Sequence, residues 1–162
     1  MELFLLTHKN EMHRKTNTGS LATQLLADSV HVILWERTKP NAKLLGFIKQ
    51  GNIALLYPHE TSETLGTTSS YEAYIIIDCT WQEAHKIYNR SPYLHALPCV
   101  KIQRDKPSSF VLRRNQKEYG LCTAEIVSEL LKSDSQFELA EELEQMLHSF
   151  MKYKPQIKQE DN

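Results

Sequence analysis

The 162-residue chain has few cysteines and no long apolar run, and each absence excludes a class of protein. Its three cysteines, Cys79, Cys99 and Cys122, are odd in number and form no C-x-x-C pair, which argues against a disulfide framework and against a thiolate zinc site. No apolar stretch approaches the length of a membrane span, and residues 1–6 are too few for the apolar core of a signal peptide. We therefore expect a single cytoplasmic domain in a reducing compartment, with no membrane partner.

The chain also has almost no net charge, −1 with histidine neutral, which on its own argues against a nucleic-acid partner. The charge is unevenly placed, however. Residues 1–50 carry seven Lys or Arg against four acids, and residues 85–117 carry eight against one. Because a polyanion needs only a local basic face, these two blocks are compatible with RNA binding. The alternative is a chance segregation of charge on an ordinary solvated surface.

Short apolar runs alternate with helix-period segments along the chain. We predict strands at residues 2–6, 30–35, 53–56, 74–77, 99–103 and 110–113. Helices are predicted around residues 21–26 and over 40–50, 81–88, 123–131 and 137–151. Residues 59–70 are predicted to form a loop, and residues 152–162 a polar tail beyond a domain of residues 1–151. This alternation indicates an α/β fold with a mostly parallel sheet flanked by helices.

The apolar run 74–77 ends in Asp78-Cys79-Thr80-Trp81, which places a carboxylate, a hydroxyl and a large ring on one strand-to-helix turn. In α/β proteins, small molecules usually bind at such turns. A carboxylate that follows a buried strand needs a partner, so Asp78 is the first candidate for a functional residue. The alternative for Asp78 and for Thr80 is an N-cap of the next helix. Trp81 either packs in the core or lines a nucleoside pocket.

The same residues resemble the signature of the DTW-domain family, Asp78-x-Thr80-Trp81 with Ala84 following. Four further blocks occur in the order expected for that family: Leu6-Thr7-His8-x-x-Glu11-x-x-Arg14-x-x-Asn17-Thr18-Gly19, Leu55-Leu56-Tyr57-Pro58, Leu97-Pro98 and Leu121-x-Thr123-x-Glu125. Many members also carry a cysteine cluster ahead of the first block, and this sequence does not contain it. The resemblance extends over roughly residues 5–130.

The resemblance implies transfer of the 3-amino-3-carboxypropyl group of S-adenosylmethionine to the ring imino nitrogen of a tRNA uridine, with release of methylthioadenosine. It also implies a SPOUT-like fold with a C-terminal trefoil knot. Catalysis is then expected from Asp78, Thr80 and Trp81. Cofactor binding is expected from Leu56, Tyr57, Pro58, Asp78, Leu97, Pro98, Leu121, Thr123 and Glu125.

Contacts with the RNA are expected from His8, Arg14, Asn17, Arg113 and Arg114. Arg14 and Asn17 would contact a phosphate or the methionine moiety of the cofactor, and the arginine pair would fork a carboxylate or a phosphate. The plain alternatives are an N-cap for Thr123, a first-turn acid for Glu125 and a solvated basic edge for the arginine pair. A metal site at His8, Glu11 and His13 has no second pair of ligands nearby, so no metal is expected.

Two other functions remain open on the sequence: a SPOUT-type RNA methyltransferase with the same cofactor, and a non-catalytic RNA-binding module. Asp78 would either take the uridine imino proton or anchor the ammonium group of the cofactor. Since an ordinary aspartate is a weak base at neutral pH, we expect orientation and charge pairing. The sequence carries no signal for an oligomeric state.

Overall fold

The computed structural model describes residues 1–66, 70–104, 108–109 and 120–160, with side chains described up to residue 153. The strands are β1 (Glu2–Thr7), β2 (Val30–Leu34), β3 (Ile53–Leu56), β4 (Glu63–Thr64), β5 (Ala73–Asp78) and β6 (Cys99–Lys101). The helices are α1 (Gly19–Leu26), α2 (Ala42–Gln50), α3 (Trp81–Asn89), α4 (Thr123–Ser133) and α5 (Phe137–Glu160). A short 3₁₀ turn, Ala27–Ser29, lies between α1 and β2, and a second one, Pro92–Leu94, lies between α3 and β6.

The six strands form one sheet in the order β2-β1-β5-β3-β6-β4, and every pairing in it is parallel. Strand β5 lies between β1 and β3, and most of its residues are buried. Burial on both faces is typical of a parallel sheet that helices cover on both sides. The predicted α/β class with a parallel sheet is confirmed. The C-terminal knot stays a prediction.

Alternate residues of the central strands point into two separate apolar cores. Leu5 and Ile76 pack with α1, α4 and α5, whereas Leu6 and Ile75 pack with α2 and α3. The chain therefore passes to one face of the sheet after β1 and to the other face after β5. Because β1 and β5 are neighbours, their carboxyl ends form the topological switch point, where open α/β sheets bind ligands.

Local signals in the sequence set the two ends of α2. The Oδ1 atom of Asn41 accepts a hydrogen bond of 3.0 Å from the backbone N–H of Leu44, as an N-cap does. Gly51 ends the helix with a φ of 82°, a conformation that favours glycine. Both ends agree with the predicted helix over residues 40–50.

Most predicted limits agree with the structure within two residues; β6, for example, ends at Lys101 and not at residue 103, because the two residues that follow form no strand pairing. Two elements differ further. The predicted loop 59–70 contains β4, a strand of two residues that pairs with β6 and is too short to show an alternating pattern. Helix α5 continues to Glu160, past the predicted end at residue 151. Its predicted apolar face packs into the core through Leu139, Leu143, Met146, Leu147 and Phe150. The domain limit at residue 151 stays a prediction, and the predicted strand 110–113 lies outside the described residues.

Across the described part of the chain, no helix is both long enough and apolar enough to cross a membrane.

Candidate functional site

Asp78 is the last residue of β5, at the switch point between β5 and β1, and it is only 4% exposed. Its Oδ2 atom accepts a hydrogen bond of 2.9 Å from Nδ2 of Asn17. Its Oδ1 atom accepts one of 2.8 Å from Oγ1 of Thr123, the first residue of α4. Burial of a carboxylate is costly unless hydrogen bonds replace water. Two uncharged donors, from two distant parts of the sequence, provide these bonds.

The segment before α1 and the first turn of α4 also contact each other directly. The backbone N–H of Ala124 donates a hydrogen bond of 3.1 Å to Oγ1 of Thr18. A Cβ atom added to Gly19 would lie 2.9 Å from Oδ2 of Asp78 and 2.9 Å from Oδ1 of Asn17. A side chain at position 19 would therefore displace the Asp78 carboxylate or its partner. We call Asn17, Thr18, Gly19, Asp78 and Thr123 the carboxylate cluster.

Thr80, and not Asp78, caps helix α3. Its Oγ1 atom accepts a hydrogen bond of 3.3 Å from the backbone N–H of Glu83, and the Glu83 carboxylate accepts one of 3.2 Å from the N–H of Thr80. This reciprocal pair is a capping box. Burial raises the pKa of Glu83, but hydrogen bonds from Thr80 and Asn10 and the nearby His8 outweigh it and hold that pKa below its ordinary value. The N-cap of α3 is therefore Thr80, whereas the Asp78 side chain accepts hydrogen bonds from Asn17 and Thr123.

Trp81, the next residue, begins α3 and is 38% exposed. Its ring is nearly parallel to that of Tyr57, with centroids 6.1 Å apart and planes 17° apart, and it meets His85 edge-on at 5.7 Å. Tyr57 stacks in turn on Tyr88 at 4.4 Å. We call Tyr57, Trp81, His85 and Tyr88 the aromatic ledge. A partly exposed ring beside a buried carboxylate can stack on an unpaired base.

Tyr88 also lines a cavity of about 190 Å³ near the start of β6. The other lining residues are His59, Thr61, Glu63, His95, Leu97, Pro98 and Cys99. Tyr57 lies behind Tyr88, is 6% exposed, and has a pKa raised by burial and then by Tyr88. The structure thus brings the predicted cofactor residues Leu97 and Pro98 to one cavity, whereas Leu56, Pro58, Leu121 and Thr123 are not part of its lining.

Glu125, another predicted cofactor residue, lies elsewhere, on α4. It is 5% exposed, and its Oε2 atom accepts hydrogen bonds from Nη1 of Arg104 at 3.1 Å and from the N–H of Ser109 at 3.2 Å. Its Oε1 atom accepts from Oγ of Ser108 and from the N–H of Cys122. Burial raises the pKa of Glu125, but these hydrogen bonds outweigh it and hold the pKa below its ordinary value. Glu125 lines a second cavity, of about 260 Å³, between α4 and α5.

The residues of the N-terminal block have partners within the protein. Glu11 is 3% exposed and pairs with Nη1 of Arg14 at 2.5 Å. Nδ1 of His8 accepts a hydrogen bond from the N–H of Asn10. Asn17, predicted to contact RNA, is directed to Asp78. Within the described residues no group of three His, Cys, Asp or Glu could hold a metal ion. Arg113 and Arg114 lie outside the described residues.

Sequence reasoning did not identify His85 and Tyr88 as parts of the site, although a signal was present. Trp81, His85 and Tyr88 have the spacing i, i+4, i+7, which places three aromatic rings on one face of a helix. Thr18 and Gly19 were noted only as part of the N-terminal block. No local pattern indicates that Thr18 contacts Ala124 or that Gly19 lies beside Asp78.

Comparisons with known proteins show the family of this chain. A family model described as the DTW domain matches residues 1–154, which include every described residue of the carboxylate cluster and the aromatic ledge. The tRNA-uridine aminocarboxypropyltransferase 2 of Drosophila melanogaster is 29% identical over 160 residues, covering 94% of this chain and 64% of that relative. The chain thus spans less than two thirds of the length of this relative. No solved structure gives a significant match. Since the family match covers almost the whole chain, this protein belongs to the DTW-domain family.

Proposed function

We propose that this protein transfers the 3-amino-3-carboxypropyl group of S-adenosylmethionine to the ring imino nitrogen of a tRNA uridine and releases methylthioadenosine. The observation that carries the proposal is the buried Asp78 carboxylate at the switch point of the sheet, directly followed by the exposed ring of Trp81. Membership of the DTW-domain family and the name of the fruit-fly relative support the same reaction.

The residues present fit S-adenosylmethionine on chemical grounds. The cavity at Leu97 and Pro98 combines apolar and aromatic walls with the carboxylate of Glu63 and the hydroxyl of Thr61. Such a mixture suits a nucleoside, whose base is flat and whose ribose carries hydroxyl donors. When bound, the sulfonium supplies an activated methylene carbon: its bond to sulfur breaks, the electron pair leaves with methylthioadenosine, the new carbon–nitrogen bond forms, and the imino proton passes to solvent.

The protein then contributes position and charge more than covalent chemistry. Asp78 would pair with the ammonium group and so aim the aminocarboxypropyl arm. Among the described residues, Asn17 and Thr123 donate to two of the roughly four acceptor positions of this carboxylate, so that about two would serve a ligand. Trp81 would stack on the uracil ring and bring its imino nitrogen to the same turn.

Basic residues follow the same two strands that form the switch point. Arg14 and Lys15 lie in the segment after β1, and Lys86 and Arg90 lie on or directly after α3, which follows β5. We call these four residues the basic rim. Carboxyl ends of parallel strands meet at one edge of a sheet, so Arg14 and Lys15 would meet the phosphates that flank the target uridine, and Lys86 and Arg90 would extend the contact along α3. Arg113 and Arg114 remain candidates from the sequence.

A product assay tests the proposal. Purified protein is incubated with S-adenosylmethionine and an unmodified tRNA transcript, and the digested nucleosides are identified by mass spectrometry. We expect a uridine that carries the three-carbon amino acid, with one methylthioadenosine formed per adduct. A methylated nucleoside would show a methyltransferase instead. Retained tRNA binding without any product would show a non-catalytic RNA-binding module.

A further inference from the structure

The Asp78 carboxylate is held on both oxygens by side chains that no part of the proposed chemistry requires to touch a ligand. Asn17 donates to one oxygen from the segment before α1, and Thr123 donates to the other from the first turn of α4. Thr123 is 4% exposed, so its hydrogen bond to Asp78 lies inside the protein. Thr18, which accepts a hydrogen bond from the residue after Thr123, is buried to the same extent.

Two donors on two different oxygens do more than compensate for burial. The last torsion of an aspartate side chain is broad, so a carboxylate with one partner can rotate about its final bond. A second donor on the other oxygen fixes the plane of the group. From this we infer that Asn17 and Thr123 are positioning residues for Asp78, and that they set the direction in which its charge faces a ligand. The inference rests on the proposed function of Asp78.

Gly19 is the third component of this arrangement. A Cβ atom at position 19 would lie 2.9 Å from both Oδ2 of Asp78 and Oδ1 of Asn17. This distance is shorter than the distances at which Cβ atoms of other residues approach neighbouring heavy atoms. Glycine therefore leaves the space in which the Asn17–Asp78 hydrogen bond forms. The hydrogen bond from Ala124 to Thr18 holds the two donor segments at a fixed distance from each other.

The other charged groups around Asp78 have partners of their own. On the segment after β1, Glu11 pairs with Arg14, and His8 lies 3.7 Å from Glu83 of α3. On α4, Glu125 pairs with Arg104. None of these side chains has a hydrogen bond to Asp78 among the residues that the structure describes.

A double-mutant cycle tests the inference. Thr123→Val removes the hydroxyl and keeps the shape, and Thr123→Ser restores the donor. We expect Thr123→Val to lower kcat about tenfold or more, the effect of a lost hydrogen bond to a charged group, and Thr123→Ser to stay within about twofold of the natural protein. In an Asp78→Asn background the same valine substitution should change kcat less than about twofold, because the charge that it positions is gone. Ser128→Ala, which removes another buried hydroxyl of α4, is the matched control and should leave kcat unchanged.

A second pair of variants tests the space at position 19. Gly19→Ala should lower kcat about tenfold or more, because the added methyl group displaces the carboxylate. Gly46→Ala is its control: it also lies in a helix, and nothing lies within 4 Å of an added Cβ atom there.

Equal losses from Thr123→Val with and without the Asp78 charge would overturn the inference, and so would a loss of stability with unchanged kcat. The natural protein decides the proposed function separately, since it either forms the adduct or does not. Should it form none, the same cycle measured by urea unfolding still decides the inference. Coupling between positions 78 and 123 in the free energy of unfolding would support the arrangement, and strict additivity would overturn it.

Discussion

Asp78 is almost completely buried, and the side chains that donate hydrogen bonds to it within the described residues are uncharged, Asn17 and Thr123. Within the described part of the chain no cation pairs with this carboxylate, which leaves it available to a cationic ligand. The charge and the shape of this residue can be separated by experiment.

Asp78→Asn retains the shape and removes the charge. We expect transfer to fall on the order of a hundredfold or more, as for lost electrostatic or acid–base groups. The melting temperature should fall by only about 2–4 °C, since the amide still accepts one hydrogen bond and Thr80 keeps the cap of α3. Rates are measured by mass spectrometry of the nucleosides and melting by circular dichroism. Nearly full activity in the variant would leave Asp78 with a structural role.

Trp81 provides a second test at this scale. Trp81→Ala should weaken tRNA binding by about 1–3 kcal/mol, the contribution of one base stacked on an aromatic ring, whereas Trp81→Phe should retain most of the affinity. Because the ring is 38% exposed, the alanine variant should lose less stability than it would at a fully buried tryptophan. Binding is measured by fluorescence anisotropy with labelled tRNA. Equal affinities for the alanine variant and the natural protein would place the uridine elsewhere.

The stability of helices α3 and α4 depends on hydrogen bonds in their first turns. Helix α3 begins with the capping box of Thr80 and Glu83. Thr80 is also a predicted catalytic residue, and asparagine separates the two roles, because it caps helices as well as threonine does but has no hydroxyl group.

For Thr80→Asn we expect nearly normal stability and, if capping is the whole role of Thr80, nearly normal transfer. Thr80→Ala should cost about 1 kcal/mol in the free energy of unfolding. Urea titrations and initial rates on both variants measure this. A strong loss of transfer in a stable asparagine variant would show that the hydroxyl takes part in catalysis.

Helix α4 is tied to the segment before it by Glu125, whose hydrogen bonds hold its pKa below the ordinary value of 4.5. A carboxylate with a lowered pKa stabilises the folded state above the unfolded pKa, and this stability is lost as the pH falls through the folded pKa. We therefore expect the free energy of unfolding to fall as the pH drops from about 5 toward 3.

Glu125→Gln should flatten this pH dependence and lower stability at pH 7 by about 2 kcal/mol. Glu129→Gln is the matched control, since Glu129 lies on the same helix, is more exposed, and forms weaker contacts at 3.7–3.8 Å. Urea unfolding at several pH values measures both variants. An unchanged pH dependence in Glu125→Gln would assign the acid sensitivity to other carboxylates.

For the whole molecule, the near-neutral net charge conceals local basic blocks. We expect the affinity for tRNA to fall linearly with the logarithm of salt concentration, because each phosphate contact releases counterions. Charge reversal at Arg14 or Lys86 of the basic rim should weaken binding more than reversal at Lys158, near the C-terminus. Filter binding at three salt concentrations tests this. A flat salt dependence, or an equal effect at Lys158, would contradict the assigned face.

The sequence predicts much of this architecture because buried parallel strands and capped helices carry local signals. The strand at residues 53–56 and the end of α2 at Gly51 were predicted at their observed positions. The partners of Asp78 were not, because Asn17 and Thr123 lie 61 and 45 residues away from it and no local pattern connects them. The ion pair of Glu125 was not predicted for the same reason, because its partner Arg104 precedes it by 21 residues.

The hydrogen bond between Thr18 and Ala124 joins residues 106 positions apart, and this separation bears on how the protein folds. During synthesis, β1 and β5 can pair before α4 has left the ribosome, so the Asp78 carboxylate would enter the forming core with one of its two donors still missing. Contacts of such high sequence separation form late, because their loop closure must be paid for in entropy first. We therefore expect the carboxylate cluster to be completed only after α4 has been synthesised. A chain released before α4 would lack the second donor to Asp78 and also two of the helices that cover one face of the sheet.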